Sequence, residues 1–173
     1  MLFRSGAGAT AAAAAVLTGG TLAQAQTAAA AAWRADRHDK DDWMDKPNTK
    51  HRLIFDTTSP TGFGESLAFA GNFVRVNQTD YGVPFAQLSV VIVVRHNSTA
   101  FGYNDAIWAK YGTLLSLRSG FLDPKTNGAP KTNLFKAADY GQMLPNRGTT
   151  LETAGNQGIQ IGVCQVEIGR AHV

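Results

Sequence analysis

The chain has a single cysteine, Cys164, among 173 residues. That excludes an intramolecular disulfide framework and leaves one thiol to be explained by packing, by reactivity or by an intermolecular link. Charge is sparse too: 17% of residues are charged, the net charge is +3, and the basic residues are scattered with no Lys/Arg block. Without such a block the positive balance is not the footprint of a nucleic-acid binder, so no nucleic-acid partner is expected. No zinc-ligand pair, P-loop or Ser/His/Asp order occurs. Gly62-Phe63-Gly64 follows a predicted strand but lacks the third glycine of a dinucleotide loop. The acidic run Asp39, Asp41, Asp42 and Asp45 beside His38 lacks the glycine and terminal glutamate of a calcium loop. Neither a metal nor a cofactor is therefore expected. With 44% hydrophobic residues, the chain suits one globular domain with extensions.

Residues 1–25 begin with Arg4, continue through an alanine-rich apolar stretch to Leu22 and reach Ala23-Gln24-Ala25, an A-x-A pattern. This order reads as a cleavable export signal, the alternative being a disordered alanine-rich leader. Loss of Arg4 takes the net charge from +3 to +2. The mature protein is then expected in the periplasm or outside the cell, with no membrane span after cleavage. No second arginine adjoins Arg4, so a twin-arginine route is not supported. Residues 26–49 read as a flexible, solvated linker that Trp33 and Trp43 tack to the domain surface, and the domain itself covers 50–166.

That domain is organised around residues 87–112. Leu88 to Val94 is an apolar run rich in valine and isoleucine without polar alternation after Ser89, the pattern of a central parallel strand covered on both faces. It stops at Arg95-His96-Asn97-Ser98, and Asn104-Asp105 opens a helix that carries Ile107, Trp108 and Tyr111 and that Gly112 is expected to stop. Upstream, 51–55 predicts a strand, Ser59 a helix cap and Pro60 a first-turn residue. The helix should run from 63 to about 78, with Leu67, Ala70 and Val74 on its apolar face and Gly82 and Pro84 beyond its end. Strand, helix and strand with this crossover imply a parallel, right-handed pair. Residues 113–146 read as a long excursion with a short helix around 133–143. A helix over 149–156 and a third parallel strand, 159–163, then deliver Cys164 to the same sheet edge as His96. The fold class is α/β, three layers α/β/α with a mostly parallel sheet.

Such a strand should run into another helix, yet only residues 165–173 follow. The terminal heptapeptide EIGRAHV, 167–173, is what a common sequencing adapter encodes in this frame, with a stop codon next. The expectation is that native sequence ends near Val166, that the domain is incomplete at its C-terminus and that His172 has no role. Resequencing the locus tests this.

In open α/β sheets, ligands meet the carboxyl ends of the strands, which directs attention to residues 95–105. Cys164, at a strand end before a helix, is either a thiolate-prone nucleophile or a small residue filling the strand end. His96 can move a proton near neutral pH or hydrogen-bond a loop carbonyl. Arg95 and Asn97 border it in the polar loop and are candidate substrate contacts, as are Asn104 and Asp105, for which a helix cap is the simpler explanation. Trp108 reads as core or subunit contact.

HRLIFDT at 51–57, the AxxxNxVxxN-like helix with Asn72 and Asn77, VVIVVRHNSTAFGYNDAIWAKYG and GIQIGVC together resemble exported DsrE/DsrF-like proteins over residues 47–166. The resemblance implies a small α/β/α domain, flavodoxin-like in its layering, that forms homo-oligomers. It further implies relay of persulfide sulfur on a cysteine, matched here by Cys164, with His96, Asn104 and Asp105 in the matching segment and a sulfur donor or acceptor protein as partner. The rival is a non-catalytic binding or assembly module on the same fold. A nucleotide- or flavin-binding protein on a similar fold would need a complete phosphate loop, which is lacking.

Overall fold

Strand β1 (His51–Thr57) pairs in parallel with β2 (Leu88–Val94), and β2 with β3 (Ile159–Val163), giving a wholly parallel sheet in the order β1-β2-β3. This computed structural model describes residues 38–44 and 46–169. The expected export signal, the first part of the linker and residues 170–173 with His172 lie outside them, as do the surface contacts expected of Trp33 and Trp43. The fold is the α/β class expected from sequence, a parallel sheet flanked by helices as in small three-layer domains.

Each element has a local cause. Helix α1 (Pro60–Tyr81) starts where the Ser59 side chain accepts from the Gly62 N–H with proline in the first turn, and ends where Gly82 takes a left-handed backbone, φ 61°. Its face of Phe63, Leu67, Ala70 and Val74 is buried against Leu88, Val90, Ile92 and Val94, alternate residues of β2. Asn77 locks the helix end to β1: its Nδ2 donates to the Phe73 carbonyl and its Oδ1 meets His51 Nδ1. Helix α3 (Leu151–Asn156) is capped by the Thr150 side chain and contacts both β3 and α1. Two right-handed crossovers stepping the same way across a sheet put their helices on one face, as α1 and α3 are here. On the other face Ser89 and Gln160 share a cavity with Asp42, Lys46 and Pro47 of the entering segment, and Lys46 Nζ donates to the Phe85 and Leu88 carbonyls (3.1 and 3.0 Å). Strand β2 is buried along its length except at half-buried Val93, whereas Ile54 beside it on β1 is 67% exposed.

Three stretches depart from the sequence reading. Residues Asp39–Met44, within the stretch expected as a flexible, solvated linker, form a 3-10 helix. Helix α2 runs Asp105–Ser119 straight through Gly112, which is buried mid-helix, and the left-handed stop is Gly120, φ 71°. The excursion therefore begins at 120, and the short helix expected around 133–143 is present as two 3-10 segments, Leu134–Lys136 and Ala138–Met143, the second broken at Gly141. Leu134, Phe135 and Leu144 from this stretch are nevertheless core residues.

Candidate functional site

The carboxyl ends of all three strands meet at one edge. There Ser98, wholly buried, ties β1 to β2: its hydroxyl accepts from the Arg95 N–H (3.0 Å) and lies 2.8 Å from the Thr57 carbonyl and 3.1 Å from Thr57 Oγ1. This clamp holds the 3-10 segment His96–Gly102, at whose start His96 adopts a left-handed backbone, φ 54°. A non-glycine residue in that region is strained, and such strain collects at functional sites.

Arg95 is gripped by Asp56 through Nε (2.6 Å) and Nη2 (2.7 Å), a two-pronged pair. Hydrogen bonding to Arg95 holds the Asp56 carboxyl below the usual carboxylate range. That same pair raises Arg95, as do, to a smaller degree, the nearby Cys164 and Glu167. Arg95 Nη1 donates to His96 Nε2 (2.8 Å). Because a guanidinium only donates, the ring proton of His96 sits on Nδ1, facing Glu167 Oε1 at 3.1 Å. Glu167 also meets Arg118 of α2 at 3.6 Å. It belongs to the heptapeptide read as adapter-encoded, and the site holds together through Ser98 and Arg95 without it.

Cys164 follows β3 and precedes α4 (Gln165–Gly169). Its N–H donates to the Val94 carbonyl (3.0 Å), which fixes it beside Arg95 across the ladder. Strand alternation sets Asp56, Arg95 and Cys164 on the sheet face opposite α1. A cavity of about 320 Å³ opens next to this edge, with His96, Asn97, Thr99, Tyr103 and Arg118 among its walls. Thr99 is only 5% exposed and its Oγ1 has no hydrogen-bond partner among the described residues, so a bound polar group would find an unused donor and acceptor there.

Of the residues singled out from sequence, His96 and Asn97 line this cavity, while Arg95 and Cys164 are not among its wall residues. Asn104 and Asp105 are not brought to it. Asn104 caps α2, its side chain accepting from the Ile107 N–H (3.1 Å). Asp105 accepts from the Asn133 N–H (2.9 Å) and from Lys136 Nζ (3.1 Å), tying α2 to the excursion. Trp108 is core, its indole N–H donating to the Ala100 carbonyl (3.0 Å). Sequence reading missed Asp56, Thr99 and Arg118. The strand-end rule that picked His96 applies equally to Asp56 and to Thr99, but Arg118 reaches the cavity only through the packing of α2 on the 96–102 segment.

The role of Asp105 makes a pH prediction. Its carboxyl is held low, first by the Asn133 backbone N–H, against burial that pushes it up, with Lys136 adding to the lowering. A depressed carboxylate contributes stability that is present above the unfolded value, about 3.9, and is lost as pH falls through the folded value. Urea midpoints measured from pH 5 down to pH 3 should therefore fall less steeply in Asp105→Asn than in the parent. Equal slopes would remove Asp105 from the account.

No family model, curated protein or solved structure matches this chain. Among the described residues there is no metal-holding cluster of His, Cys, Asp and Glu, and no helix is long and apolar enough to cross a membrane.

Proposed function

We propose that the chain is an exported DsrE/DsrF-like protein that carries sulfane sulfur on Cys164 and exchanges it with a donor or acceptor protein. The observation that supports this reading is the place of the thiol: at the carboxyl end of a parallel strand, with Arg95 as its neighbour across the ladder and the strained His96 next to Arg95. In the step, the Cys164 thiolate attacks the outer sulfur of a persulfide, R–S–SH. A new S–S bond forms at Cys164, the donor S–S bond breaks, and R–S⁻ leaves with the bonding pair. An acceptor thiolate then attacks the outer sulfur and releases Cys164 as thiolate. No net oxidant or reductant is consumed. Arg95, its guanidinium paired to Asp56, adds a weaker attraction for negative charge on Cys164, and His96 with Asn97 presents polar groups to the rest of the donor.

Intact-mass measurement after exposure to cysteine persulfide tests this. One added sulfur is expected on the parent chain and none on Cys164→Ser, with rapid alkylation of the folded thiol by iodoacetamide. A thiol that labels only in urea and takes no sulfur overturns it.

A second reading has its own observation. Ile107, Tyr111, Leu114 and Leu117 recur on α2 at spacings of three and four, and all are exposed, Leu117 at 82%. Such a stripe favours an assembly module in which Cys164 is inert, and it is the reading left standing by an unreactive thiol.

A further inference from the structure

We propose that a second site, the cleft between α1 and residues 145–157, binds a small carboxylate bearing an adjacent hydrogen-bond donor, of the hydroxy- or amino-acid class. The cleft encloses about 480 Å³ and shares no wall residue with the His96 cavity. Its volume lies in the range of small-molecule sites.

Four features converge on it. First, Arg147 is held in a left-handed backbone, φ 49°, and its guanidinium makes no hydrogen bond or ion pair with any described residue. The turn that imposes this conformation is anchored by the buried Asn146, whose Nδ2 donates to the Thr149 carbonyl (2.9 Å). Strain of this kind needs support from the surroundings, and here it delivers an unpaired cation to the cleft. Second, Arg75 on α1 is pre-oriented by Asn72 Oδ1 (2.6 Å) through one nitrogen, leaving its other N–H groups to face an anion. Third, Gln157 Oε1 is buried in the cleft wall without a partner among the described residues. A buried acceptor in that state calls for a donor, which a bare anion cannot supply and a hydroxyl or ammonium next to a carboxylate can.

The fourth feature is Gly71 in the cleft floor. It lies inside α1 with no positive φ, and a Cβ there would sit 3.4 Å from Thr149 and 3.8 Å from Gln157 Oε1, ordinary contact distances. Neither backbone geometry nor core packing requires a glycine that weakens the helix. What the missing methyl leaves is room. Half-exposed Phe69 forms an apolar wall for the rest of the ligand, and Glu65, also without a described partner, offers a carboxylate to an ammonium.

The experiment titrates the full chain by calorimetry with 3-phenyllactate, with 3-phenylpropanoate, which lacks only the hydroxyl, and with inorganic phosphate. Phenyllactate should bind more tightly than both. Arg147→Gln should weaken it about tenfold, the value of one charged hydrogen bond. Gln157→Leu should erase the preference for the hydroxy acid. Gly71→Ala should keep or raise the thermal midpoint while weakening binding at least as much as Arg147→Gln. The proposal is overturned if no probe binds, if Arg147→Gln and Gly71→Ala bind like the parent, or if phosphate competes as well as phenyllactate, which would mark an unspecific anion patch.

Discussion

Gly112→Ala will destabilise the protein by about 2–3 kcal/mol, at the upper end of what overpacking costs, although alanine is the better helix former. In an exposed helix this exchange is worth about 1 kcal/mol in the opposite direction. At Gly112, however, the new Cβ would lie 2.1 Å from the Pro130 carbonyl oxygen, a backbone atom that no side-chain rotation can move aside. Either α2 or the excursion beginning at 120 must retreat, and Asp105, which bonds the Asn133 N–H from the same helix, would be pulled with it. In urea melts Gly112→Ala should lower the midpoint, whereas Gly71→Ala should keep or raise it. A stable Gly112→Ala would mean that the helix and the loop do not meet closely in solution.

Phe101→Ala will cost about 3–5 kcal/mol, the range for emptying a large aromatic from a core. Phe101 is almost wholly buried and joins four other rings. It stacks on Phe63 of α1 (5.5 Å, 5°) and on Trp108 of α2 (5.7 Å, 28°), and it meets Phe121 (5.0 Å, 85°) and Phe135 (4.8 Å, 84°) edge-on. Those partners come from two helices and the excursion, so no single movement can close the space. Domains are stable by only about 5–15 kcal/mol, and the loss should show as a large drop in urea midpoint with the far-UV circular dichroism of the folded state retained. Phe101→Leu, which refills most of the volume, should recover most of the loss. A small effect of Phe101→Ala would mean that the ring cluster repacks.

The two glycines and the ring cluster also show where sequence reading reached its limit. The strands and α1 were legible because their patterns are local: β2 is an unbroken apolar run, and Ser59, Pro60 and Gly82 bracket an amphipathic helix. Helix α2 was cut short because Leu114 and Leu117 face outward while Gly112 and Ser116 face inward. Hydrophobic periodicity cannot follow a helix that buries its small residues and exposes its large ones. Phe135 is core although it sits in a 3-10 turn of three residues, too short to carry any period. At the site, the strand-end rule located the edge and three of its side chains, Arg95, His96 and Cys164. It carried Asn104 and Asp105 along because they are close in sequence, covered Thr99 without singling it out, and passed over Arg118, whose position depends on tertiary packing.

The Ser98 clamp bears on how the molecule comes together. Ser98 and Thr57 are separated by 41 residues of chain, so their contact can form only after α1 has crossed over and β1 has docked in register. Closing so long a loop comes late compared with forming a helix. The backbone twist at His96 is therefore held by the topology as well as by the local Ser98–Arg95 bonds. A fragment starting after β1 would carry every residue of the cavity wall in the correct order and still have no cavity. Conversely, any fluctuation that frees β1 undoes the site in the same event, so the lifetime of the site is the lifetime of one strand pair.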